Sequence, residues 1–202
     1  SGISGSFHSS QIAAQNLKDE FPGRKIICLD TKGASLGEGL IVMEAVKMRE
    51  EGKSLEDMLP VLEDKVERLY QIFTVDSLKH LKRTGRLTGA AAFVGSILNI
   101  KPLLKGNERG QIVAVDKVRG NKKAIQKMAE RYDAFAVNGE EQTVCIADSD
   151  NDEDVAYLIA LLNKNHPPKE ILRVCYEPVT GSHVGPGAVA LFFFGEKGVR
   201  TN

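Results

Sequence analysis

The stretch KIICLDTKGASLGEGLIVMEAV (25–46) carries the pattern that decides the fold class. Residues 25–29 form a short, continuously apolar run that ends at Asp30, which is typical of a buried strand. A loop rich in glycine and serine follows over residues 31–39, and a helix is predicted over residues 39–51. Strand, loop and helix in this order form the repeat of a βαβ unit, so the stretch predicts an α/β fold on a parallel sheet buried on both faces.

Helices are also predicted on either side of this stretch. Residues 1–6 read as a loop, and a helix is expected over residues 8–20, where Phe21-Pro22-Gly23 ends it. A second helix begins after Ser54, whose hydroxyl is placed to cap the first turn. The stripe that repeats every 3.6 residues along this helix consists of Leu55, Met58, Leu59, Leu62, Val66 and Leu69.

The pattern changes after Tyr70 and predicts an α+β unit with a mixed sheet. We therefore expect two domains, with residues 1–69 as the remainder of an N-terminal α/β domain and residues 70–202 as a C-terminal α+β domain. The elements expected in the second part are a strand at 71–75, a helix at 88–98, a hairpin over 102–116 that turns at 106–110, a helix at 121–135, a strand at 143–147, a helix at 152–162 and strands at 171–176 and 188–194.

Composition excludes several classes of function. The 202 residues carry 27 Lys and Arg against 27 Asp and Glu, and a net charge of zero argues against nucleic-acid binding. No apolar run approaches the roughly 20 residues that span a bilayer. Cys28, Cys145 and Cys175 each lie in an apolar stretch without zinc-ligand spacing, so we expect buried thiols, no metal site and a reducing, cytoplasmic location.

The opening loop, Ser-Gly-Ile-Ser-Gly-Ser (1–6), is the first candidate for binding chemistry. Its glycines allow a ligand to approach the backbone, and the start of a helix together with serine hydroxyls favours a carboxylate or phosphate. An ordinary turn with a helix cap explains the same residues.

Two further segments are candidates. His183 lies among glycines in GSHVGPG (181–187), where a loop histidine could contact a ligand or could have no function. The basic turn LKRTGRL (81–87) reads either as a solvated helix end or as a docking point for a phosphate or an acidic partner.

A serine hydrolase remains as an alternative function. The nucleophile elbow of such enzymes is Gly-x-Ser-x-Gly, and Gly2-Ile3-Ser4-Gly5 does not match this spacing. Asp30, Asp148 and Asp150 follow apolar runs where a catalytic carboxylate could lie, but no pattern pairs them with His183. Neither nucleotide-binding fingerprint is present.

Five motifs in order resemble the DegV family. They are SGISGSFHSS (1–10), DTKGASLGEGLIVMEA (30–45), LKRTGRLTGAAAFVGSILNIKPLL (81–104), KVRGNKKAI (117–125) and HVGPGAVALFF (183–193). Any one of them is a weak signal, whereas five at family order and spacing are specific. The resemblance covers essentially the whole chain.

The resemblance implies a DegV-like two-domain fold, in which one long-chain fatty acid is buried between a parallel-sheet α/β/α domain and an α+β domain. Members are similar to the acyl-binding subunit of bacterial fatty acid kinase, a carrier that presents the carboxylate to a separate kinase subunit for phosphorylation to acyl phosphate. It therefore implies a cytoplasmic, lipid-binding protein that is not itself an enzyme, with a fatty acid as ligand and no cofactor. A regulatory module with the same fold is a further alternative.

The resemblance also assigns residues. Ser1, Gly2, Ser4 and His183 are expected to bind the carboxylate, and Arg86 to contact the head group or dock the kinase. Apolar residues of the predicted helix 88–98 are candidates for lining the acyl tail, although such a stripe is also what ordinary core would show; they are Phe93, Val94, Ile97 and Leu98. The family's first strand and a Thr-Ser-Gln-Pro segment are absent before Ser1, so we expect that the natural protein contains them.

Overall fold

The computed structural model describes residues 1–87 and 99–201. Within these ranges the helices are α1 (Ser6–Glu20), α2 (Leu36–Glu50), α3 (Leu55–Arg68), α4 (Lys79–Arg83), α5 (Asn121–Phe135), α6 (Asp152–Asn165) and α7 (Pro178–Val184). The strands are β1 (Leu69–Thr74), β2 (Ile100–Gly106), β3 (Ile112–Arg119), β4 (Thr143–Asp148), β5 (Glu170–Cys175) and β6 (Val189–Phe194).

The strands form one mixed sheet in the order β3-β2-β1-β6-β4-β5. Only β4 and β5 are parallel, and the other neighbours are antiparallel. The mixed sheet predicted for the second half of the chain is therefore confirmed. The predicted hairpin is confirmed as well, because Gly106 of β2 pairs with Ile112 of β3 across the turn.

Helices cover both faces of this sheet. In β6, Leu191 and Phe193 pack in one apolar cluster with α5 and α6, whereas Phe192 and Phe194 pack in another with α2 and α3. This alternation follows from the two-residue period of a strand, which directs successive side chains to opposite faces. A central strand that is buried on both faces has no polar side, which explains the unbroken apolar run of β6.

Helix α3 shows how the local sequence sets the packing. The Ser54 hydroxyl accepts a hydrogen bond from the backbone N–H of Asp57 at 3.2 Å, so the predicted cap is confirmed. Leu62 and Val66, one turn apart on the predicted stripe, are buried under the sheet. Leu55, at the start of the same stripe, is 38% exposed.

A buried carboxylate at the end of β4 is paired with an arginine of β5. Asp148 accepts hydrogen bonds from Arg173 Nε at 2.9 Å and Nη2 at 3.0 Å, and from the backbone N–H of Asn151 at 3.1 Å. Burial raises the pKa of Asp148, but the hydrogen bonds from Arg173 and Asn151 outweigh it and hold the pKa below its usual value. Because Asn151 caps α6, this cluster also fixes where that helix begins.

Two sequence predictions are wrong here. Residues 25–29 are not a strand, because a strand needs ladder hydrogen bonds to a neighbour, and the sheet of the described chain contains no strand from residues 1–68. An apolar run alone does not supply that neighbour, and Ile27 is 42% exposed. The expectation of three buried thiols holds for Cys145 alone of the three, because Cys28 is half-buried and Cys175 is exposed on the edge strand β5.

Candidate ligand-binding site

A cavity of about 1040 Å³ opens on the α2/α3 face of the sheet. It is lined by residues from both sides of the expected boundary at 69/70, including Ser1 and Ser4 from the first part and Arg86 and His183 from the second. Its volume is at the upper end of the range for small-molecule sites, roughly 300–1000 Å³. The apolar part of the wall includes Leu29, Leu36, Val42, Phe73, Ala190 and Phe192.

The serine loop, residues 1–6, presents hydroxyl groups at the cavity. Ser4 Oγ lies 2.9 Å from Ser6 Oγ and accepts the backbone N–H of Ser6 at 3.2 Å. A hydroxyl has one proton and two acceptor lone pairs, so when Ser6 donates to Ser4 the proton of Ser4 is available to a ligand. Gly5 precedes α1 and provides no side-chain cap.

The hydroxyl of Ser1 is oriented by Asp30. Ser1 Oγ donates to Asp30 Oδ2 at 2.5 Å, and the backbone N–H of Lys32 donates to Asp30 Oδ1 at 3.0 Å. Burial raises the pKa of Asp30, but the hydrogen bonds from the Ser1 hydroxyl and the Lys32 backbone N–H oppose it, and the pKa lies below its usual value. Asp30 is therefore an anion at neutral pH, and it fixes the direction of the Ser1 hydroxyl.

Gly2 has a packing role that the sequence did not indicate. A Cβ at this position would lie 2.3 Å from the carbonyl oxygen of Arg109 and 2.5 Å from the carbonyl carbon of Gly110, so only glycine lets the serine loop lie against the β2–β3 turn. Gly2 is not among the residues that line the cavity.

Arg86 holds the serine loop from the other side. Its Nε donates to the carbonyl oxygen of Ile3 at 3.3 Å, and its Nη1 donates to that of Thr84 at 2.5 Å. The guanidinium is half-buried and lines the cavity. These contacts connect the residues after α4 with the serine loop, so Arg86 positions that loop whether or not it also contacts a ligand.

His183 lies in the last turn of α7, so the loop predicted around it is wrong. The helix forms because Pro178 occupies the first helical position and the carboxylate of Glu177 accepts the backbone N–H of Thr180, at 3.0 Å and 2.9 Å to its two oxygens. Nδ1 of His183 is buried and has no hydrogen-bond partner among the described residues. A buried polar atom without a partner costs about 1–3 kcal/mol, so this nitrogen marks a place where a ligand atom would be stabilised.

The glycines after His183 serve close packing. Gly185 and Gly187 both have φ of +78°, and a Cβ would lie 2.4 Å from the His80 ring at the first and 2.4 Å from the Asp76 carboxylate at the second. The Gly-Pro-Gly segment thus lets the chain after α7 lie directly against His80 of α4 and against Asp76, three residues before that helix.

Sequence reasoning missed the residues beneath the loop 31–35. Gln71 Oε1 accepts the backbone N–H of Ala34 at 3.0 Å, and Gln71 Nε2 donates to the carbonyl oxygen of Lys32 at 3.1 Å. Arg200, 1% exposed, donates to the same carbonyl at 2.6 Å. An amide inside the apolar run of β1 is a signal that could have identified Gln71, whereas no pattern around Arg200 distinguishes it.

The remaining predicted site residues fall elsewhere. Phe93, Val94, Ile97 and Leu98 lie outside the described residues.

Among the residues that are described, no three His, Cys, Asp or Glu side chains are grouped to hold a metal ion. The described helices also include none with the length and apolar character to cross a bilayer.

Comparison with known proteins identifies the family. The model described as "Uncharacterised protein, DegV family" matches residues 1–196. The chain belongs to the DegV family. A DegV domain-containing protein of Clostridium perfringens is 40% identical over 196 residues, which cover 97% of this chain and 67% of the relative.

Solved structures agree with this assignment. A DegV family protein from Thermus thermophilus, described by its fatty acid binding, is 36% identical and superimposes with a TM-score of 0.86 over 96% of this chain and 68% of its own. A DegV family protein from Ruminococcus gnavus with vaccenic acid is 27% identical, with a TM-score of 0.89 over 95% of this chain and 68% of its own. The chain therefore has the DegV fold and spans about two thirds of these DegV proteins.

Proposed function

We propose that this DegV chain binds one long-chain fatty acid in the cavity, with the carboxylate at the serine loop and His183. The observation that carries the proposal is Nδ1 of His183, a buried nitrogen without a partner in the wall of a largely apolar cavity. A carboxylate oxygen would accept its proton, and the Ser4 hydroxyl would supply a second donor. The fatty-acid-binding relatives from Thermus thermophilus and Ruminococcus gnavus support the same ligand class.

The acyl tail would supply most of the affinity. Burying about 14 methylenes at roughly 0.8 kcal/mol each contributes on the order of 10 kcal/mol before the costs of binding. The head group must still be paired, because a buried carboxylate without donors costs several kcal/mol. In this arrangement the tail sets the strength of binding, and the serines and His183 set its orientation. We place the tail between two lobes, residues 1–69 and 70–202.

The chain would act as a carrier for a kinase rather than as an enzyme. Ser1 and Ser4 are exposed at the cavity mouth, so a carboxylate held there would be accessible to a partner protein. A separate fatty acid kinase subunit in the cytoplasm would transfer phosphate from ATP to that carboxylate and release acyl phosphate. Arg86 would support this by fixing the serine loop that presents the head group.

A serine hydrolase is less consistent with the site. A serine nucleophile needs a hydrogen bond to its base, and the base in turn needs an orienting group. In the described residues Ser1 is bonded to Asp30 and Ser4 to Ser6, and Nδ1 of His183 has no partner.

The first test is identification of the bound molecule. Full-length protein is purified, extracted with organic solvent and examined by mass spectrometry, with a similarly purified protein of another family as control. A single class of fatty acid in near-stoichiometric amount is expected. Repeated absence of any acyl species, together with failure of the delipidated protein to take up added fatty acid, would contradict the proposal.

A second test separates the carrier from the hydrolase. The loaded protein is incubated with a bacterial fatty acid kinase subunit and ATP, and acyl phosphate is trapped with hydroxylamine. Product that requires both proteins supports the carrier. Ester hydrolysis by the chain alone that disappears in His183→Ala would instead establish the hydrolase.

A further inference from the structure

Residues 31–35 form a constrained loop at the edge of the cavity. Lys32 and Ser35 have φ of +47° and +51°, a conformation that residues other than glycine rarely adopt. Such a conformation persists only where surrounding contacts fix it.

Those contacts come from the sheet side and from the end of the chain. The carbonyl oxygen of Lys32 accepts one hydrogen bond from Gln71 Nε2 at 3.1 Å and another from Arg200 Nη2 at 2.6 Å. Gln71 also accepts the backbone N–H of Ala34 at 3.0 Å, so a single amide secures the loop at two points. Gln71 is 7% exposed and Arg200 is 1% exposed, so both hold the loop from within the protein.

Two glycines make room for this arrangement. A Cβ at Gly37 would lie 2.5 Å from Gln71 Oε1, and a Cβ at Gly106 would lie 2.8 Å from Gln71 Nε2. The amide therefore fits between α2 and β2 only because both positions lack a side chain. This close fit leaves Gln71 little freedom to leave the loop.

The loop is connected to the serine hydroxyl at the cavity by hydrogen bonds. Gln71 and Arg200 bind the carbonyl oxygen of Lys32. The backbone N–H of the same residue donates to Asp30 Oδ1 at 3.0 Å, and Asp30 Oδ2 accepts a hydrogen bond from the Ser1 hydroxyl at 2.5 Å. Releasing the Lys32 carbonyl would let that N–H turn away from Asp30, and Asp30 would then hold Ser1, the first residue of the serine loop, less firmly. Because the single proton of the Ser1 hydroxyl is donated to Asp30, the donor that this loop offers a ligand is the Ser4 hydroxyl.

We propose that Gln71 and Arg200 are positioning residues of the head-group site. They fix the loop 31–35 and, through Asp30 and its hydrogen bond from Ser1, position the serine loop that carries the Ser4 donor, and so determine affinity for the acid end of the ligand. This inference rests on the proposed function. Neither side chain need contact the ligand acid to have this effect. The acyl tail forms no hydrogen bonds, so we expect the loss of affinity to be specific to ligands with a carboxylate.

The test compares dodecanoic acid with dodecan-1-ol, which share a tail and differ in the head group. Affinities of the delipidated full-length protein are measured by calorimetry for the wild type, Gln71→Leu, Arg200→Met and Arg200→Lys. Gln71→Leu and Arg200→Met should each weaken acid binding about tenfold, equivalent to about 1.4 kcal/mol, with alcohol binding changed less than about twofold. Arg200→Lys retains a cationic donor for the Lys32 carbonyl and should recover most of the loss.

Gln142→Leu is the matched control. The Gln142 amide makes three hydrogen bonds, to Val137 and to both backbone groups of Phe194, against two for Gln71, but it does not line the cavity. It should lose thermal stability comparably and bind both ligands as the wild type does. Gln71→Met, which keeps the length of the side chain and loses both hydrogen bonds to the loop, serves as the second variant if Gln71→Leu prevents folding.

The outcomes are distinguishable. If acid and alcohol affinities fall in parallel in the folded Gln71 and Arg200 variants, or if Gln142→Leu reproduces the selective loss, the positioning role is refuted and the fatty-acid site stands. If the wild type shows no preference for the acid, or binds neither ligand, the proposed head-group site itself fails and the inference fails with it.

Discussion

Replacing the His183 ring by phenyl should have opposite effects on stability and on binding. Nδ1 of His183 is buried without a partner among the described residues, so the ligand-free protein bears the cost of an unsatisfied polar atom, about 1–3 kcal/mol. His183→Phe removes that atom and keeps a planar ring, and the cavity beside it can accommodate the larger side chain. We expect the free energy of unfolding of the delipidated protein to rise by about 1 kcal/mol, which for a chain of this size raises Tm by about 2–4 °C.

The same change should weaken fatty acid binding. A hydrogen bond to a charged group contributes about 1.5–3 kcal/mol, so the loss corresponds to a factor of about 10 to 100 in Kd. His183→Asn is the matched variant, because its amide nitrogen occupies a position close to that of Nδ1 and should retain much of the acid affinity.

Scanning calorimetry of carefully delipidated protein gives Tm, since residual ligand would stabilise the wild type and hide the effect. Titration with dodecanoic acid and dodecan-1-ol gives the affinities. A His183→Phe variant that is less stable than the wild type and still prefers the acid would refute the reasoning, because Nδ1 would then be neither costly when empty nor used by the ligand.

Three further changes test individual contacts by thermal or urea unfolding. Gly185→Ala should lower the free energy of unfolding by about 1–3 kcal/mol, because its Cβ would meet a histidine ring at 2.4 Å and φ is +78°, whereas Gly23→Ala, with no neighbour within 4 Å, should change it by less than about 0.5 kcal/mol. Asp148→Asn should lose about 2 kcal/mol at pH 7. The pKa of Asp148 is lowered in the folded state, so the contribution from Arg173 is fully present above the unfolded pKa of about 3.9 and is lost as pH falls through the folded value. Variant and wild type should therefore converge once the pH is below the folded-state pKa. Ser54→Ala should remove the cap of α3 and cost about 1 kcal/mol.

The sequence predicts best those elements whose apolar positions are also the positions that the fold buries. Helix α5 begins and ends at the predicted residues 121 and 135, because its apolar stripe faces the sheet, Gly120 precedes it and the backbone becomes extended at Ala136. The hairpin was predictable from its turn glycines, and β6 from its apolar run. These elements are specified by short stretches of sequence and by burial on a known face.

The failures have physical reasons. Residues 25–29 have the apolar character of a strand, but pairing depends on a neighbour that a single stretch of sequence cannot provide. Helix α7 contains a glycine and a serine, which favour a loop prediction, but the cap from Glu177 stabilises its first turn. Gln71 and Arg200 act over separations of 39 and 168 residues from Lys32, which no local pattern encodes.

The two faces of the sheet should respond differently to mutation, one through stability and the other through ligand binding. The layer under α5 and α6 is continuous core, and the cavity lies on the opposite face with Phe73 and Phe192 in its wall. Successive residues of one strand therefore have different roles, since Leu191 packs in the core and Phe192 contacts the cavity. A deep mutational scan that records cellular abundance and ligand occupancy separately should show losses of abundance at Val189, Leu191 and Phe193 and losses of occupancy at Ala190 and Phe192.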